Sequence, residues 1–448
     1  MRFLLRQKLR FAPLRRTMRC AWHPKPTRSF IGDYIMYNVR EVTKDVWWVG
    51  GHDHRLTLFE NLHPIPKGVS YNAYVLFDEK NTILFDTVEW TSSPQLMENI
   101  EFLLKKYGRT KLDYLVVNHM ECDHSASVTE ILLRFPDITI ISTEKGFMLM
   151  RQFAYNPDDY KTHQVKEGDT FSFGKHTVAF VEAPMVHWPE VMITLDVTNG
   201  VLFSADAFGS FMALDGKLFA DEVNYDRDWI DEARRYLCNI VGKYGPEVQH
   251  LIGKAAPLLP QVKYICSLHG LVWRKPEDIN YIVDKYVHWS TYTPEQKGVL
   301  LVYGSMYGNT ESAAFALASK IVEKGMTNIN VYDASSTHVS YLIAEAFKFS
   351  HIVIACPTYN LNIYPPIRDF LEHMKLLNMQ KRSVAIVENG SWAVKSGDLI
   401  QKFIEDGMKD IDILNERITI ASSMGADKAV ELDRMAQEIV DSVNAAQI

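Results

Sequence analysis

Apolar residues in the first two thirds of the chain occur in short runs that predict β-strands. Residues 71–88 contain two such runs, and the polar tetrapeptide at 78–81 between them predicts a hairpin. Apolar residues at every third or fourth position of 96–104 predict a helix, and the run at 112–118 predicts a buried strand. Strand and helix patterns continue to about residue 290, and three strand-like runs each end on a candidate ligand: 176–184, 200–206 and 262–270.

Strands and helices alternate regularly over the last third of the chain. Five β-rich apolar runs occupy residues 298–305, 328–335, 351–358, 383–390 and 416–422. Helical patterns occupy residues 310–324, 340–349, 366–376, 395–409 and 426–443. The alternation predicts an α/β fold with a doubly wound, five-stranded parallel sheet. The polar segment 291–297 lacks periodicity and is the predicted linker, which divides the chain into domains at 38–290 and 298–448.

The composition is that of a globular protein, with 47% hydrophobic and 23% charged residues in a chain of 448. The net charge is −7, but residues 1–32 hold nine of the 48 basic residues and no acidic residue. The remaining 39 basic and 55 acidic residues leave a balance of −16, which argues against a nucleic-acid partner. No run reaches the roughly 18 apolar residues of a membrane helix. The five cysteines form no CxxC pair, which excludes a rubredoxin-type iron centre and a zinc ribbon.

The basic N-terminal segment, residues 1–35, has the character of an organellar targeting leader. Its arginines alternate with Phe and Leu, and it is free of acid up to Asp33, which is typical of transit peptides. We therefore expect the protein in the matrix of a mitochondrion or a hydrogenosome-type organelle. The alternative is a mis-called start codon, with translation beginning at Met18 or Met36 and a cytoplasmic product.

The densest group of ionisable residues is the sequence NHMECDHSAS at 118–127. Four potential metal ligands stand there within six residues, directly after a predicted strand: His119, Glu121, Asp123 and His124. Three more occur singly, each at the end of another predicted strand: His187, Asp206 and His269. Loops at strand ends can direct several side chains to one point, so these residues predict two metal ions that share a bridging carboxylate. The three carboxylates favour iron or manganese, whereas a structural zinc site would use four ligands that include thiolates.

Three loops of the second domain predict a site for a flat ligand that carries a phosphate. Residues 303–310 lie between the first strand and the first helix, where backbone N–H groups and the helix dipole favour a phosphate. Their sequence matches neither the P-loop nor the dinucleotide-binding motif. Residues 357–360 and 389–392 follow the third and fourth strands, at the sheet edge where α/β folds bind ligands, and each loop offers an aromatic residue for stacking.

The metal motif resembles the metallo-β-lactamase fold, in which H-x-[EH]-x-D-H follows a strand and a lone His, a lone Asp and a late His come later. Glu121 at the third position, HWPE at 187–190 and FSADAFG at 203–209 resemble the flavodiiron proteins. The resemblance implies a metallo-β-lactamase-like αββα sandwich. It also implies two sets of iron ligands: His119, Glu121, His187 and Asp206 in one, and Asp123, His124, Asp206 and His269 in the other. Ser210-Phe211 replaces a polar-His pair of many members, at the wall of the pocket.

The last domain resembles flavodoxin over about 150 residues. This resemblance implies that the phosphate of FMN is bound by Ser305, Met306, Tyr307, Gly308, Asn309 and Thr310. It implies that the isoalloxazine is framed by Pro357, Thr358, Tyr359, Asn360, Asn389, Gly390, Ser391 and Trp392. The resemblance to a flavodiiron protein spans 38–448 and implies the two-domain class, without a rubredoxin or flavin-reductase domain.

The resemblance implies an oxidoreductase that reduces O2 to water, or NO to N2O, in protection against oxygen or nitrosative stress. Two ferrous ions and reduced FMN together hold the four electrons that O2 requires, and two NO molecules require only two. We expect O2 as the main substrate and NO as a close second.

Partners follow from the same resemblance. An external electron donor is expected, which would be a rubredoxin-like protein, a ferredoxin-like protein or a flavin reductase. Because the linker is short, a head-to-tail homodimer, or a homotetramer built from it, is expected to bring the FMN of one chain to the iron site of the other.

A second hypothesis comes from another class of enzyme. A dinuclear zinc hydrolase fused to a flavodoxin-like module would activate a metal-bound water as nucleophile. Glu121 in place of a histidine and the flavin-type loops argue against this hypothesis.

The leader yields the first testable prediction. A fluorescent protein fused behind residues 1–35 should accumulate in a mitochondrion-type organelle, because the nine cations of the leader favour import. Fluorescence microscopy measures the location, with a fusion that begins at Met36 as control. A diffuse cytosolic signal from both fusions would contradict the prediction and favour the later start codon.

Overall fold

The structure is a computed structural model that describes residues 37–448, so the targeting leader predicted for 1–35 lies outside the described residues. The strands are β1 (Arg40–Glu41), β2 (Val46–Trp48), β3 (Gly51–Asp53), β4 (Leu58–Phe59), β5 (His63–Pro64), β6 (Val69–Tyr71), β7 (Tyr74–Phe77), β8 (Thr82–Phe85), β9 (Tyr114–Val116), β10 (Thr139–Thr143), β11 (Lys161–Val165), β12 (Thr170–Ser172), β13 (Thr177–Glu182), β14 (Met192–Asp196), β15 (Val201–Phe203), β16 (Tyr264–Cys266), β17 (Gln296–Tyr303), β18 (Ile329–Asp333), β19 (Phe349–Tyr359), β20 (Asn362–Ile363), β21 (Arg382–Asn389) and β22 (Ile411–Ile420).

The α-helices connect these strands and cover the sheets. They are α1 (Ser93–Lys106), α2 (Cys122–Ser125), α3 (Val128–Arg134), α4 (Glu144–Gln152), α5 (Tyr225–Asp228), α6 (Ile230–Tyr236), α7 (Gly245–Ala255), α8 (Pro276–Ser290), α9 (Asn309–Glu323), α10 (Val339–Lys348), α11 (Pro365–Leu376), α12 (Ser396–Gly407) and α13 (Ala429–Ala445). Over residues 37–448, none of the helices is both long enough and apolar enough to cross a membrane.

The first domain is a sandwich of two sheets. One sheet has seven strands in the order β1-β2-β7-β8-β9-β10-β11, and the other has five in the order β12-β13-β14-β15-β16. The Phe85 ring of β8 stacks on the Phe203 ring of β15 with their centroids 3.8 Å apart, so the inner faces of the two sheets pack together. Helices α7 and α8 cover the outer face of β14 and β15. The predicted αββα architecture is confirmed.

Local sequence explains the elements that begin this sandwich. β7 and β8 pair as the predicted antiparallel hairpin around residues 78–81, and every residue of both strands is buried. α1 buries the apolar face predicted for 96–104, because a spacing of three and four residues places those side chains on one side of the helix. Burial of each apolar side chain of this size contributes about 1.5–3 kcal/mol before the entropy of ordering is subtracted.

The second domain is the predicted doubly wound sheet. Its five long strands are all parallel, in the order β18-β17-β19-β21-β22. Helices α9 and α13 bury their apolar residues on one face, and α10, α11 and α12 bury theirs on the other. The short β20 pairs antiparallel with the end of β19 and is the one strand of this described domain that the pattern missed. Strand order reverses between β17 and β19, where ligands bind in sheets of this kind.

The connection between the domains is shorter and more fixed than its polar sequence indicates. β17 begins at Gln296, so the last two residues of the predicted linker 291–297 stand in the sheet. Tyr292 is buried, and its hydroxyl donates to the carbonyl of Gly242. The buried Arg382 guanidinium of the second domain donates to the carbonyl of Tyr292 at 2.7 Å, while Glu295 accepts from Arg234 of the first domain at 2.8 Å. These contacts hold the two domains in one relative orientation.

A buried histidine of the first domain yields the second testable prediction. His176 Nδ1 lies 3.0 Å from Asp196 Oδ2, and its Nε2 lies 3.4 Å from Asp45 Oδ2. Burial lowers the pKa of His176, but the two carboxylates outweigh burial and raise it above the usual 6.5. A raised pKa in the folded state stabilises the fold at pH values below 6.5, and this contribution is lost as the pH rises through the folded pKa.

We therefore expect His176→Gln to lower the free energy of unfolding by about 1–3 kcal/mol at pH 6 and by less at pH 9. Urea unfolding of the wild type and the variant at both pH values measures the difference. His250→Gln, at an exposed histidine, is the control. An equal loss of stability at both pH values would contradict the assigned ion pairs.

Candidate functional site

The candidate metal ligands lie at strand ends of both sheets of the first domain. Residues 119–124 follow β9 of the seven-stranded sheet and run into the single turn of α2. His187 lies in the loop between β13 and β14, Asp206 follows β15, and His269 follows β16. The carboxyl ends of β9, β13, β15 and β16 therefore meet at one edge of the sandwich, although their sequences are far apart.

Asp206 lies between the two groups of imidazoles. Its Oδ2 is 3.3 Å from Nε2 of His119 and 3.3 Å from Nε2 of His187. Its Oδ1 is 3.1 Å from Nε2 of His124 and 3.7 Å from Nε2 of His269. Each oxygen faces a different pair of histidines, which is the arrangement of a carboxylate that bridges two cations.

The donor atoms form two compact sets, each with its atoms within 4.8 Å of one another. The first set is His119, Glu121, His187 and Asp206. The second set is Asp123, His124 and His269. Glu121 Oε2 lies 2.9 Å from His187 Nε2, and Asp123 Oδ2 lies 3.1 Å from His269 Nε2. The first set is the one implied by the family resemblance, the second is the implied set without the shared Asp206, and ligation itself stays a prediction.

The donor atoms fit a pair of metal ions. Both carboxylate oxygens of Asp123 and Asp206 are buried, and none of the four accepts a hydrogen bond. The Nε2 atoms of His124 and His269 approach each other to 3.0 Å. Buried charge without partners is costly in an apolar interior. Two cations between these oxygens and nitrogens would satisfy all of them.

Partners behind two of the histidines orient their rings. His119 Nδ1 donates to Oε1 of the buried Glu190 at 2.9 Å, and His269 Nδ1 donates to the carbonyl of Ser70 at 2.7 Å. Because Nδ1 bears the proton, Nε2 presents its lone pair to the metal position. Asp86 accepts from the backbone N–H of Asn118 at 2.7 Å, which fixes the start of the ligand loop.

The charges of the site balance one another through large shifts in pKa. Burial lowers the pKa of His187, but Asp206 and Glu121 outweigh it and raise the pKa to about 9. Burial raises the pKa of Asp206, but the adjacent His119 and His124 hold it well below its usual value. The site therefore favours the binding of positive charge, either as protons on the histidines or as metal ions.

A cavity of about 350 Å³, lined by both carboxylate and apolar side chains, opens onto the ligands from the solvent side. Its lining includes Glu60, Tyr71, Glu89, Glu121 and Cys122. Burial, together with the neighbouring Glu121 carboxylate, raises the pKa of Glu60 to about 8. Glu60 is not among the predicted site residues, because it lies in the turn between β4 and β5, which has no ligand motif.

Aromatic rings cover the far side of the second set. The Phe59 ring meets the His269 ring edge-on with centroids 5.5 Å apart, and Tyr236 lies 5.3 Å from the same ring. Phe211, at the position where the sequence departs from the family pattern, packs on both Phe59 and Tyr236. These side chains keep water from His269, and the Arg235 guanidinium lies over the Phe211 ring, 4.4 Å from its centroid.

The three predicted loops of the second domain meet in a cleft of about 130 Å³. It is lined by Ser305, Met306, Tyr307, Asn309, Thr310, Pro357, Thr358, Asn389, Gly390, Ser391, Trp392, Ala393 and Ser422. Gly308, Tyr359 and Asn360 stand in the same loops but do not line the cleft, and Ala393 and Ser422 line it without having been predicted. Ser422 lines the cleft because β22 ends beside β21. The loop sequences alone do not predict that these two strands are neighbours.

The cleft fits a flat ligand with a phosphate group. Gly308 has φ of +91°, in the left-handed region, and its N–H donates to Ser305 Oγ just before α9 begins. A Cβ on Gly390 would meet the carbonyl oxygen of Ala393 at 2.0 Å, so that turn requires glycine. Tyr307 is 92% exposed and Trp392 is 78% exposed, which leaves both rings free to stack on a ligand.

The chain is similar to one protein family, to relatives in other organisms and to solved structures. Residues 69–241 match the ODP family beta lactamase. An uncharacterized protein of Methanocaldococcus jannaschii is 32% identical over 376 residues, which covers 84% of this chain and 91% of that protein. The anaerobic nitric oxide reductase flavorubredoxin of Aeromonas hydrophila is 30% identical over 376 residues, with coverage of 83% and 74%.

Two solved structures are similar over nearly their whole length. Rubredoxin oxygen:oxidoreductase from Desulfovibrio gigas has a TM-score of 0.83 and 27% identity, and the match covers 91% of this chain and 99% of that one. The flavodiiron protein from Giardia intestinalis has a TM-score of 0.82 and 25% identity, with coverage of 92% and 97%. The chain belongs to the flavodiiron protein family. The predicted family and fold are thereby confirmed, and this flavodiiron protein is an oxidoreductase.

The bridging position of Asp206 yields the third testable prediction. In this flavodiiron protein, His119→Ala should reduce the metal content from about two ions per chain to about one, because it removes a ligand of one set. Asp206→Ala should reduce it below one, because it removes the group shared by both sets. Metal analysis of purified protein measures this, and flavin absorbance should be unchanged because the cleft lies in the other domain.

His250→Ala, at an exposed histidine, is the control for this experiment and should retain full metal content. Equal metal content in the Asp206 variant and the control would contradict the bridging assignment.

Proposed function

We propose that this flavodiiron protein reduces O2 to water, with FMN in the cleft and two irons at the candidate metal site. Reduction of NO to N2O is the second candidate reaction. The observation that supports the proposal most is Asp206, one carboxylate that faces two separate ligand sets in a chain that also has a flavin-type cleft.

The chemistry of the donors supports iron. Four imidazoles and three carboxylates form a harder and more anionic site than imidazoles alone, which suits iron or manganese. Two ferrous ions bring four positive charges, and the three carboxylates with one hydroxide bring four negative charges. A buried site close to neutrality avoids the cost of uncompensated charge.

The electron count agrees with either gas. When bound, two ferrous ions and reduced FMN together supply four electrons, which reduction of one O2 requires, whereas reduction of two NO requires two. Among the similar proteins, one is named an oxygen oxidoreductase and another a nitric oxide reductase. We place O2 first because the four-electron capacity matches its need in full.

The residues of this chain hold and shield the reacting centre. Glu190 and Ser70 fix the ring planes of His119 and His269, so little reorganisation is needed when charge develops at the metals. Phe59 and Tyr236 exclude water from one side of His269. The cavity at Glu60 leaves Glu121 and Asp123 accessible to solvent protons.

A zinc hydrolase of the metallo-β-lactamase fold is the weaker hypothesis. It gives no role to the cleft at Trp392, and family membership favours an oxidoreductase. Metal analysis with a visible spectrum separates the two hypotheses. Stoichiometric zinc without flavin absorbance would refute the proposed function.

The direct test uses protein reduced anaerobically and then mixed separately with O2 and with NO, while flavin reoxidation is followed. We expect reoxidation with O2 at the higher rate and with NO at a lower rate. A reduced protein that is reoxidised by neither gas would refute the proposal, and a faster reaction with NO would reverse the order of substrates.

We further propose a head-to-tail homodimer in which the cleft of one chain faces the metal site of the other. The contacts of Tyr292 and Glu295 fix the domains, so the cleft has no freedom to fold onto the metal site of its own chain. The exposed Tyr307 and Trp392 at the cleft provide an aromatic surface for the partner chain. An isologous two-fold contact would create two equivalent composite sites.

Electrons would come from a rubredoxin-like protein, a ferredoxin-like protein or a flavin reductase, and the basic leader would place the reaction in an organelle. The strongly acidic body of the chain favours a donor with a basic docking surface.

Complementation yields the fourth testable prediction. Mixing His119→Ala chains with chains that have Asn309→Ala and Thr310→Ala should restore activity from two inactive parents. A mixed dimer would contain one intact cleft facing one intact metal site. Gas consumption after chain exchange measures this, with each variant exchanged against itself as control. Mixed dimers that form and stay inactive would contradict the head-to-tail arrangement.

A further inference from the structure

A small apolar cavity lies beside the metal site, lined by chain neighbours of His187 and Asp206, and it shares no lining residue with the cavity at Glu60. Its volume is about 20 Å³, enough for one molecule of the size of water. Strands β14 and β15 form its floor, and helices α7 and α8 form its walls. Its surface consists only of apolar atoms, so a water molecule inside would find no hydrogen-bond partner.

The inner end of the cavity is built from the neighbours of two candidate ligands. Val186 precedes His187, and Ala207 and Phe208 follow Asp206. Ala205 has φ of +49° and Phe208 has φ of +69°, both in the left-handed region. This tight turn lets the Asp206 carboxylate face the metals while the next two side chains face the cavity.

The outer end of the cavity reaches towards the surface. Val248 and Leu251 of α7 are buried in its middle, whereas Ile252, Ala255 and Val283 are half-buried at its rim. Ser204 is the one serine of the lining, and its hydroxyl donates to the carbonyl of Ala207 at 2.8 Å. The cavity is therefore a dry pocket between helices α7 and α8 and the backbone that holds the candidate metal ligands.

We propose that this cavity binds the diatomic gas on its way to the metal site. Small apolar cavities in proteins stay dry and take up apolar atoms such as xenon. O2 and NO share the small size and weak hydration of such guests, unlike charged or hydrogen-bonding substrates. The cavity at Glu60 is a poor route for them in the proposed dimer, because the flavin of the partner chain would cover its opening. The inference rests on the proposed function and names the route of its substrate.

Xenon is the first probe, because its binding does not depend on activity or on bound metal. Crystals of the holoenzyme under xenon pressure should show xenon between Leu251, Phe208 and Val283. An empty cavity in crystals that bind xenon elsewhere would overturn the inference.

A matched pair of variants tests the route itself. Ala255→Trp places an indole at the half-buried rim, and Ala256→Trp places the same indole one residue later, at an exposed position outside the lining. We expect Ala255→Trp to lower the second-order rate of reoxidation of the reduced enzyme by O2 or NO about fivefold or more. We expect Ala256→Trp to react as the wild type does.

Metal and flavin content are measured in both variants, so that a lower rate can be assigned to gas access. Equal rates in the two variants would overturn this inference and leave the proposed function standing. An enzyme that reacts with neither gas would overturn the proposed function and this inference together.

Discussion

The burial of one carboxylate among four imidazoles is the constraint on which the rest of the first domain depends. Asp206 is almost completely buried, and its two oxygens face two different pairs of histidines within 3.7 Å. Such a charge is tolerated only where opposite charge surrounds it on all sides. The chain meets this requirement by bringing the ends of strands from two sheets to one edge. The sandwich therefore positions a dense set of charges as well as burying an apolar core.

The same requirement explains the groups behind the ligands. Glu190 and Ser70 accept the Nδ1 protons of His119 and His269, so that the lone pairs of those rings point inward. Apolar side chains then separate the charges from water on the remaining sides. On one side these are Phe59 and Phe211, and on the other they enclose the dry cavity beside α7 and α8.

The junction between the domains is rigid for a related reason. Buried Arg382 would be costly without partners, and it finds them in backbone carbonyls of both the second domain and the connecting segment, including Tyr292. Glu295 is held in turn by Arg234. The short polar segment that connects the domains is therefore rigid. The metal site and the cleft keep fixed relative positions within one chain. Because of this rigidity, we propose that the cleft faces the metal site of a second chain.

The sequence by itself was sufficient for the doubly wound sheet, because the alternation of apolar runs and helical patterns indicates parallel strands joined by helices, whereas the αββα sandwich was implied by the resemblance of the metal motif. It was also sufficient for the candidate ligands, since residues 118–127 are dense and His187, Asp206 and His269 each end an apolar run. Only the tertiary structure shows that Asp206 lies between the two ligand sets, and that Glu190 and Ser70 orient the histidine rings. It also shows that Glu60 lines the cavity at the metal site and that Ser422 lines the cleft of the second domain. These contacts are made between residues as distant in sequence as Ser70 and His269. Apolar periodicity predicts which side chains are buried, but it does not predict which strand ends become neighbours. The rigid junction and the dry cavity also depend on tertiary packing. Both form between surfaces that come together only when the sheets and their helices pack.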